Sequence, residues 1–272
     1  MTNTTPLSNL HTHTLFSDGK KTAEENVARA IELGFVSLGF SDHSPTPMWG
    51  EDFITGKEKE HTSLIRSIAD KYSEKIDVFA GLELDSFFDF HREYYDYVIA
   101  SVHFIKVGEE FPPVDWSGDS QRETIAKHFG GKDIDFVKTY FNDFVSHVEN
   151  CKPDIIGHFD LFTKFGVINT DSEEYRHTVT EAIEEIVKIC PRFEINTGAI
   201  FRGYKNSVYP EPFALSEIKR LGGSICINSD CHDGVNLNGA FDKAYRAALD
   251  AGFTHIDRFT RDGFVKDEII LF

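Results

Sequence analysis

Cysteine is scarce in this sequence of 272 residues, which contains only Cys151, Cys190, Cys226 and Cys231. They show no CxxC spacing, so a disulfide framework and a zinc ribbon are both disfavoured and a reducing compartment is indicated. Long apolar runs are also missing, because no stretch approaches the ~20 residues that a membrane span requires. The first nine residues lack the basic region and apolar run of a signal peptide. We therefore expect a cytoplasmic protein with no membrane partner.

Basic residues are few relative to acidic ones. The 28 Lys and Arg face 45 Asp and Glu, which gives a formal net charge of -17 at pH 7. This excess opposes binding to a phosphate polyanion such as DNA, so no nucleic-acid partner is expected. Bound divalent cations would offset part of the charge. The hydrophobic content of 40% suffices for one large core, and since no linker or low-complexity segment interrupts the chain, we predict a single domain over residues 1–272.

Short apolar segments alternate with amphipathic ones along the chain. Seven strands are predicted, one ending before His11 and the others at residues 35–40, 78–82, 97–102, 154–157, 192–196 and 224–229. Helices are predicted from a capping box at Thr22 to Leu33 and at residues 57–75, 88–94, 134–151, 173–189, 211–221 and 240–251. An apolar segment ends the chain. Residues 104–132 are predicted to be irregular, and loops of that length usually bind ligands or act as lids.

This alternation predicts the fold class. Strands separated by helices at this spacing are expected to be parallel and joined by right-handed crossovers. Closing seven such units on themselves gives an α/β fold, a TIM-barrel-like (β/α)7 barrel. An open doubly wound sheet is the competing architecture, but it would distribute the strand ends over two edges. In the barrel, the carboxyl ends of all strands surround one mouth, which is where active sites of such folds lie.

Metal-capable side chains follow six of the seven predicted strands. His11 and His13 are two residues apart on an extended segment, so both imidazoles project to the same face. The complete set is His11, His13, His43, Glu83, His103, His158, Asp230 and His232. Imidazole and carboxylate ligands without thiolates suit zinc, manganese or iron. Because one ion uses about four ligands, the set predicts two or three divalent metal ions.

Considered singly, each of these residues is better explained as a hydrogen-bonded polar group at a barrel rim. Eight together are not, because so many ionisable groups at one mouth would carry a large cost from desolvation and repulsion without an ion. Cys231 is predicted to point into the barrel wall, and Asp18 lies in a turn close to the first histidine pair. The remaining histidines are interpreted as surface or core residues: His61, His91, His128, His147, His177 and His255.

Seven motifs, in this order, resemble those of the polymerase and histidinol phosphatase (PHP) superfamily, and specifically its histidinol-phosphatase branch. They are LHTH at 10–13 with SDG at 17–19, SDHS at 41–44, GLE at 81–83, SVHFI at 101–105, GHFDL at 157–161, EINT at 194–197 and SDCH at 229–232. The resemblance spans most of the chain. It implies a distorted (β/α)7 barrel with a trinuclear metal site at the carboxyl ends of the strands.

The resemblance also implies three ligand sets. One ion would use His11, His13, Glu83 and Asp230, a second Glu83, His103 and His158, and a third Asp18, His43 and His232. Two positions depart from the family pattern. Cys231 stands where a small residue is usual, and Thr163 where a basic side chain is expected, so the contacts to phosphate are left open.

The activity implied by the resemblance is the hydrolysis of L-histidinol phosphate to L-histidinol and phosphate in histidine biosynthesis. Such a site suits phosphate monoesters, because a hydroxide that bridges two cations can attack phosphorus in line. Arg202 follows the sixth strand and is a candidate for binding the phosphoryl group, although an exposed loop arginine explains it equally well, and Lys164 is a second candidate. Asp160 is a candidate general acid, or a residue that orients a ligand.

Other functions remain open at this stage. Acidic loop residues (Glu51 and Asp52, or Asp115 and Asp119) are candidates for holding the substrate amine, with solvated surface as the alternative for each. A different small phosphate ester or a nucleotide end is the alternative substrate. A metal-dependent nuclease is opposed by the net charge, and a barrel that binds without chemistry is opposed by the intact ligand set. The sequence does not specify an oligomeric state.

Overall fold

The computed structural model describes residues 4–46, 56–87 and 90–271. Two sequence predictions fall partly outside these ranges. Glu51 and Asp52, two of the acidic candidates for holding the substrate amine, are not among the described residues, and neither are the first two residues of the short helix predicted at 88–94. The described remainder of that helix contains one 3-10 turn, Arg92–Tyr94.

Seven parallel strands form one sheet in which the spatial order follows the chain order. They are β1 (Leu7–Asn9), β2 (Phe35–Phe40), β3 (Asp77–Asp85), β4 (Tyr97–Ser101), β5 (Ile155–Ile156), β6 (Arg192–Asn196) and β7 (Ser224–Asn228). Helices lie between them, as the predicted α/β pattern requires. All seven predicted strands are confirmed, and β3 extends past its predicted end to include Glu83.

The sheet closes through residues that follow its first and last strands. The amide of His13 donates to the carbonyl of Cys231 (2.9 Å), and the amide of Cys231 donates to the carbonyl of His11 (3.2 Å). Thr12 and Cys231 therefore form a parallel bridge. The result is a distorted (β/α)7 barrel, so the predicted fold class is confirmed and the open sheet is excluded.

Eight α-helices lie within the described residues. They are α1 (Ala23–Glu32), α2 (Glu58–Tyr72), α3 (Gly118–Phe129), α4 (Asp133–Cys151), α5 (Glu173–Val187), the single turn α6 (Gly198–Phe201), α7 (Pro212–Arg220) and α8 (Phe241–Asp250). The capping box predicted for α1 is present, because the Thr22 side chain accepts from the Glu25 amide and the Glu25 side chain accepts from the Thr22 amide. The sequence reading missed α6.

The prediction of an irregular segment over 104–132 was wrong for its second half, which contains α3. Ser117 begins this helix, since its side chain accepts a hydrogen bond from the amide of Ser120 (3.0 Å). Only Gln121, Thr124 and Ile125 are buried along its length. Because two of these three residues are polar, the helix has almost no apolar stripe from which it could have been predicted.

The C-terminal apolar segment forms an antiparallel hairpin of β8 (His255–Thr260) and β9 (Gly263–Glu268). Its residues Phe259 and Phe264 pack against side chains of the barrel interior. Arg192, at the start of β6, lies 3.4 Å from the ring of Phe264 and donates to Asp257 (2.8 Å). The hairpin therefore covers the amino-terminal end of the barrel and leaves the carboxyl end to the site.

One buried tyrosine holds the backbone directly after the first strand. Tyr97 has no exposed surface, and its hydroxyl donates to the carbonyl of Leu10, the residue before His11. Gly39 and Gly81 make room for the ring, because a Cβ atom would lie 2.1 Å from the Tyr97 side chain at the first position and 2.2 Å at the second. The barrel interior thus fixes the backbone from which the first histidine pair projects.

Candidate metal centre

All nine predicted metal ligands converge at the carboxyl end of the barrel. His11, His13 and Asp18 follow β1, Glu83 lies within β3, and the remaining ligands follow β2, β4, β5 and β7. Asp230 adopts a left-handed backbone conformation (φ 52°), which turns the chain sharply after β7. Four overlapping groups result, each with ligand atoms within 4.8 Å of one another: His13–Asp18–His43–His232, His11–His158–Asp230, His11–His13–Glu83 and His43–Glu83–His103.

Glu83 lies at the middle of the cluster and faces different ligands with its two oxygens. Its Oε2 atom is 3.1 Å from Nε2 of His11 and 3.0 Å from Nδ1 of His43. Its Oε1 atom is 2.9 Å from Nε2 of His158 and 3.6 Å from Nε2 of His103. A carboxylate in this position can bridge two cations.

The other two carboxylates complete the arrangement. Asp230 Oδ1 lies 3.2 Å from Nε2 of His13 and 3.6 Å from Nε2 of His11. Asp18 lies 3.2 Å from Nε2 of His232 through Oδ2 and 3.7 Å from Nε2 of His43 through Oδ1. The four groups contain the same nine residues as the three ligand sets implied by the family resemblance but divide them differently, since His158 falls with His11 and Asp230 and His103 falls with His43 and Glu83. The assignment of ions to ligand sets therefore stays a prediction.

Buried polar atoms in the cluster fit metal ions. Within the described residues, Nε2 of His11, Nε2 of His13 and Oε2 of Glu83 are buried and lack a partner with hydrogen-bond geometry. Leaving such atoms unsatisfied is costly. Their shared direction and the nitrogen and oxygen donor set are what a divalent cation requires, so the residues present fit the predicted metals.

The electrostatics of the cluster are those of tightly packed opposite charges. Burial raises the pKa of Glu83, but the surrounding imidazoles, His11 first, outweigh burial and hold it well below its usual value. Burial lowers the pKa of His11, yet Glu194, Glu83 and Asp230 raise it well above normal. For His13, burial and the neighbouring His232 and His43 lower the pKa to about 4, and a neutral imidazole is the form that binds a metal.

Two further carboxylates hold the ligand imidazoles from behind. Glu194 lies 2.9 Å from Nδ1 of His11, and Asp85 lies 3.2 Å from Nδ1 of His103. Such contacts fix the orientation of a ligand imidazole and make it more basic. Sequence reasoning assigned no role to either residue, although Asp85 is two positions from Glu83 on the same strand and therefore shares its face.

A third support is a buried aspartate behind the turn that carries Asp18. Asp42 accepts hydrogen bonds from Thr14, Ser17 and His61, and it has no exposed surface. Burial raises its pKa, but the hydrogen bond and charge of His61 and the hydroxyl of Ser17 lower it to about 2. The sequence reading treated His61 as a residue without a metal role, and it belongs to none of the four groups.

Arg202, the candidate phosphate-binding residue, is brought to the cluster by the single-turn helix α6. Its Nη2 atom lies 2.7 Å from Oδ2 of Asp230, and its Nη1 atom 3.4 Å from Nδ1 of His232. The side chain is 31% exposed, so the guanidinium contacts the metal-capable residues and is also accessible from the surface.

Lys164 and Asp160 are placed differently. Lys164 forms an ion pair with Asp115 (2.9 Å); burial raises the pKa of Asp115, but Lys164, His103 and His158 lower it. Asp160 is fully buried, accepts from the amide of Glu211 (2.7 Å) and belongs to none of the metal groups. Burial raises the Asp160 pKa to about 7.

The two positions that depart from the family pattern are accounted for in the structure. Cys231 is buried in the wall, as predicted, and its thiol donates to Asp233. Thr163 accepts a hydrogen bond from Nζ of Lys205 (2.7 Å), so a basic side chain from elsewhere in the chain contacts this position, while it also pairs with Glu211. The sequence reading did not identify Lys205, since it is distant along the chain.

The barrel carries overlapping histidine and carboxylate groups at the carboxyl ends of its strands. These features place the protein in the class of α/β barrels with a candidate multinuclear metal centre. The PHP domain model matches residues 9–198, and the chain belongs to this family. No helix in the described part of the chain is long and apolar enough to cross a membrane.

Relatives match over nearly the whole chain. A Bacillus subtilis (strain 168) protein named histidinol-phosphatase is 22% identical over 256 residues, covering 85% of this chain and 96% of its own. A Schizosaccharomyces pombe protein named "Probable histidinol-phosphatase" is 26% identical over 271 residues, covering 88% of this chain and 85% of its own. The crystal structure of histidinol phosphate phosphatase from Lactococcus lactis, complexed with zinc, L-histidinol and phosphate, has a TM-score of 0.73 at 23% identity, covering 95% of this chain and 98% of that one. This last likeness confirms the fold.

Proposed function

We propose that this protein hydrolyses L-histidinol phosphate to L-histidinol and phosphate, as a step of histidine biosynthesis. The observation that carries the proposal is the convergence of nine imidazole and carboxylate ligands into four overlapping groups of metal-binding size. The choice of substrate is supported by the name of the Bacillus subtilis relative and by the ligands of the Lactococcus lactis structure. A different small phosphate ester or a nucleotide end is the alternative substrate.

The proposed cofactors are two or three divalent metal ions, with zinc favoured over manganese and iron by the ion in the Lactococcus lactis structure. The proposed ligands are His11, His13, Asp18, His43, Glu83, His103, His158, Asp230 and His232. When bound, such ions lower the pKa of water to near neutrality and offset the charge that develops on the phosphoryl group. Glu83, whose two oxygens face different imidazoles, would contribute a ligand to more than one ion.

Arg202 is proposed to bind the phosphoryl group. Its guanidinium already contacts Asp230 with one nitrogen, and its planar arrangement of donors leaves others for the oxygens of a phosphate. The contact with Asp230 fixes the side chain at the edge of the metal cluster. This preorganisation matters because donors that are held in place stabilise developing charge without reorganising.

Asp160 is proposed as the general acid that protonates the departing alkoxide. Burial raises its pKa to about 7, which favours the protonated form that an acid needs. Lys164, which pairs with Asp115, is proposed as a second residue that contacts the phosphoryl group of the substrate. Asp119 is nearly fully exposed and pairs with Arg122 on the surface of α3, so Asp115 is the better candidate for interacting with the substrate amine.

The proposal is tested by measuring phosphate release from L-histidinol phosphate by the purified protein, with p-nitrophenyl phosphate and a nucleoside monophosphate in parallel. Metal content is determined on the same sample. We expect a strong preference for L-histidinol phosphate and two or three bound ions. Equal or better rates on the other esters would retain the metal-dependent reaction and reject the substrate, and activity on a DNA 3' end alone would favour a nuclease.

Three further expectations accompany the proposal. Residues 1–272 are proposed to act as one PHP-type barrel domain with a small phosphorylated molecule as its partner. The net charge of -17 supports the absence of a nucleic-acid partner, because like charges repel. A cytoplasmic location is proposed because the four cysteines are free in the structure, as expected in a reducing compartment.

A further inference from the structure

Asp18 is the most weakly enclosed of the nine proposed metal ligands. Its side chain is 42% exposed, whereas that of the next most exposed ligand, His232, is 19% exposed. It also lies in a turn, outside the helices and strands of the described chain. Something other than a regular element must therefore hold its carboxylate near His43 and His232.

Asp42 supplies much of that support from beneath the turn. Its Oδ1 atom accepts from the amide of Thr14 (2.7 Å) and from the hydroxyl of Ser17 (2.7 Å). Its Oδ2 atom accepts from the hydroxyl of Thr14 (2.8 Å). These three bonds fix both ends of the segment that leads from His13 to Asp18. The turn cannot move away from the cluster without breaking several of them.

His61 connects the same carboxylate to helix α2. Its Nε2 atom donates to Oδ2 of Asp42 (2.9 Å), and the ring of Phe16, in the same turn, meets the His61 ring edge-on with centroids 5.1 Å apart. Both Asp42 and His61 are completely buried. The helix, the aspartate and the turn thus form one packed unit behind the group His13–Asp18–His43–His232.

Neither residue of this pair is placed to bind a metal ion itself. Asp42 and His61 belong to none of the four metal-sized groups, and all the contacts described above lead to the turn or to α2. Asp42 is also linked to the rest of the centre, because its carbonyl accepts from the amide of Glu83 (3.2 Å). A buried carboxylate with this many donors is costly to build, and the turn is the element that those donors constrain.

We propose that Asp42 and His61 are a positioning pair that sets how tightly the group His13–Asp18–His43–His232 binds its divalent cation. The proposal rests on the proposed function only in taking these four side chains as metal ligands. Removing a residue that orients a ligand typically weakens metal binding 10- to 100-fold. The ion held with Asp18 is therefore expected to be the first one lost when the pair is broken.

The experiment measures ions bound per chain against buffered free Zn²⁺ for the wild type and two variants. Asp42→Asn keeps the side-chain shape but replaces an acceptor oxygen with a donor. His61→Phe keeps a ring against Phe16 and removes the donor. We expect both variants to lose one ion at free Zn²⁺ about 10- to 100-fold higher than the wild type does, with the remaining ions retained as in the wild type.

A matched control is available at the other end of the barrel. Asp257 is also a buried carboxylate, and it accepts from Nε of Arg192 (2.8 Å) and from the hydroxyl of Ser224 (2.6 Å). Asp257→Asn should lower the melting temperature and leave the Zn²⁺ curve unchanged. If Asp257→Asn loses the same ion, the effect of Asp42→Asn is general destabilisation and the proposal is wrong. Should Asp42→Asn fail to fold, His61→Phe and Ser17→Ala provide the same comparison.

A double-mutant cycle determines whether Asp42 acts through Asp18. Asp18→Asn alone should remove the same ion, and adding Asp42→Asn should then change the Zn²⁺ curve little. If Asp42→Asn weakens Zn²⁺ binding as much in the Asp18→Asn background as it does alone, the proposal is wrong. A wild type that binds fewer than two ions would overturn the metal centre itself. A wild type that binds its ions but does not hydrolyse L-histidinol phosphate would reject only the substrate, and the Zn²⁺ curves would still decide the role of the pair.

Discussion

Oε2 of Glu194 lies 2.9 Å from Nδ1 of His11, on the side of the imidazole opposite the metal cluster. The same carboxylate accepts from the amide of His158 (2.7 Å) and from the side-chain amides of Asn196 and Asn228 (2.8 Å each). Glu194 therefore links the backbone after β5 to the ligand after β1. Two of the proposed metal ligands thus contact one buried side chain that belongs to none of the four metal-sized groups.

Glu194→Gln should weaken metal binding by the groups that contain His11. The glutamine keeps the volume but loses the charge that orients the imidazole and makes it more basic, and such changes typically cost 10- to 100-fold in metal affinity. The measurement is the number of ions per chain against buffered free Zn²⁺. Glu217→Gln, which changes a carboxylate paired with Arg220 on α7, is the control and should leave the curve unchanged. Wild-type affinity in Glu194→Gln would contradict this role.

Chelation should abolish phosphate release and lower the melting temperature together. Without cations, the buried carboxylates and imidazoles depend on each other for charge balance, and atoms such as Nε2 of His13 lack hydrogen-bond partners within the described residues. A ligand at 100 times its Kd stabilises the folded state by about 2.7 kcal/mol. The check is calorimetry and a phosphate assay after removal of metal and again after addition of Zn²⁺. Full activity in the metal-free protein would reject the proposed reaction.

Arg202→Ala should reduce kcat/KM for L-histidinol phosphate by about 100-fold, the effect of losing one preorganised donor to a developing oxyanion. Arg202→Lys should recover only part of the loss, because an ammonium group cannot contact Asp230 and a phosphate in the same planar arrangement. Steady-state kinetics, with metal analysis on the same samples, distinguish the loss of a substrate contact from the loss of a bound metal ion. Arg220→Ala, an exposed arginine of α7, is the control. Unchanged kcat/KM in Arg202→Ala would instead favour the alternative interpretation, in which Arg202 is an exposed loop arginine that does not bind the substrate.

The fold and the convergence of most candidate ligands could be predicted from sequence because both depend on local order. His11 and His13 are two residues apart on an extended segment and therefore face the same side. The later ligands lie at or just after the ends of apolar strands, so the barrel brings them together. Asp18 is the exception. It lies in a turn whose position is set by Asp42 and by contacts with α2, and only the family resemblance indicated it.

The supporting residues were missed for a related reason. Glu194 contacts His11 across 183 positions, and His61 reaches Asp42 from a helix whose pattern shows only that one face is buried. Helix α3 was missed because two of its three buried residues are polar. Pairings between side chains distant along the chain depend on the exact packing of the elements, which periodicity and spacing do not contain.

Asp160→Asn provides the sharpest test of the proposed general acid. Asparagine can still accept the hydrogen bond from the amide of Glu211, so the local structure should persist while the acidic proton is lost. General acids typically contribute 10²- to 10⁴-fold to a rate. We expect a loss of about that size for L-histidinol phosphate, whose alkoxide leaving group needs a proton.

The same variant should hydrolyse p-nitrophenyl phosphate at close to the wild-type rate, because its phenolate departs without protonation. Metal content should be unchanged, since Asp160 belongs to none of the metal groups. An equal loss on both esters would instead indicate that Asp160 positions the start of α7, whose first residues follow Glu211. Full turnover of L-histidinol phosphate would exclude an acid role for Asp160 altogether.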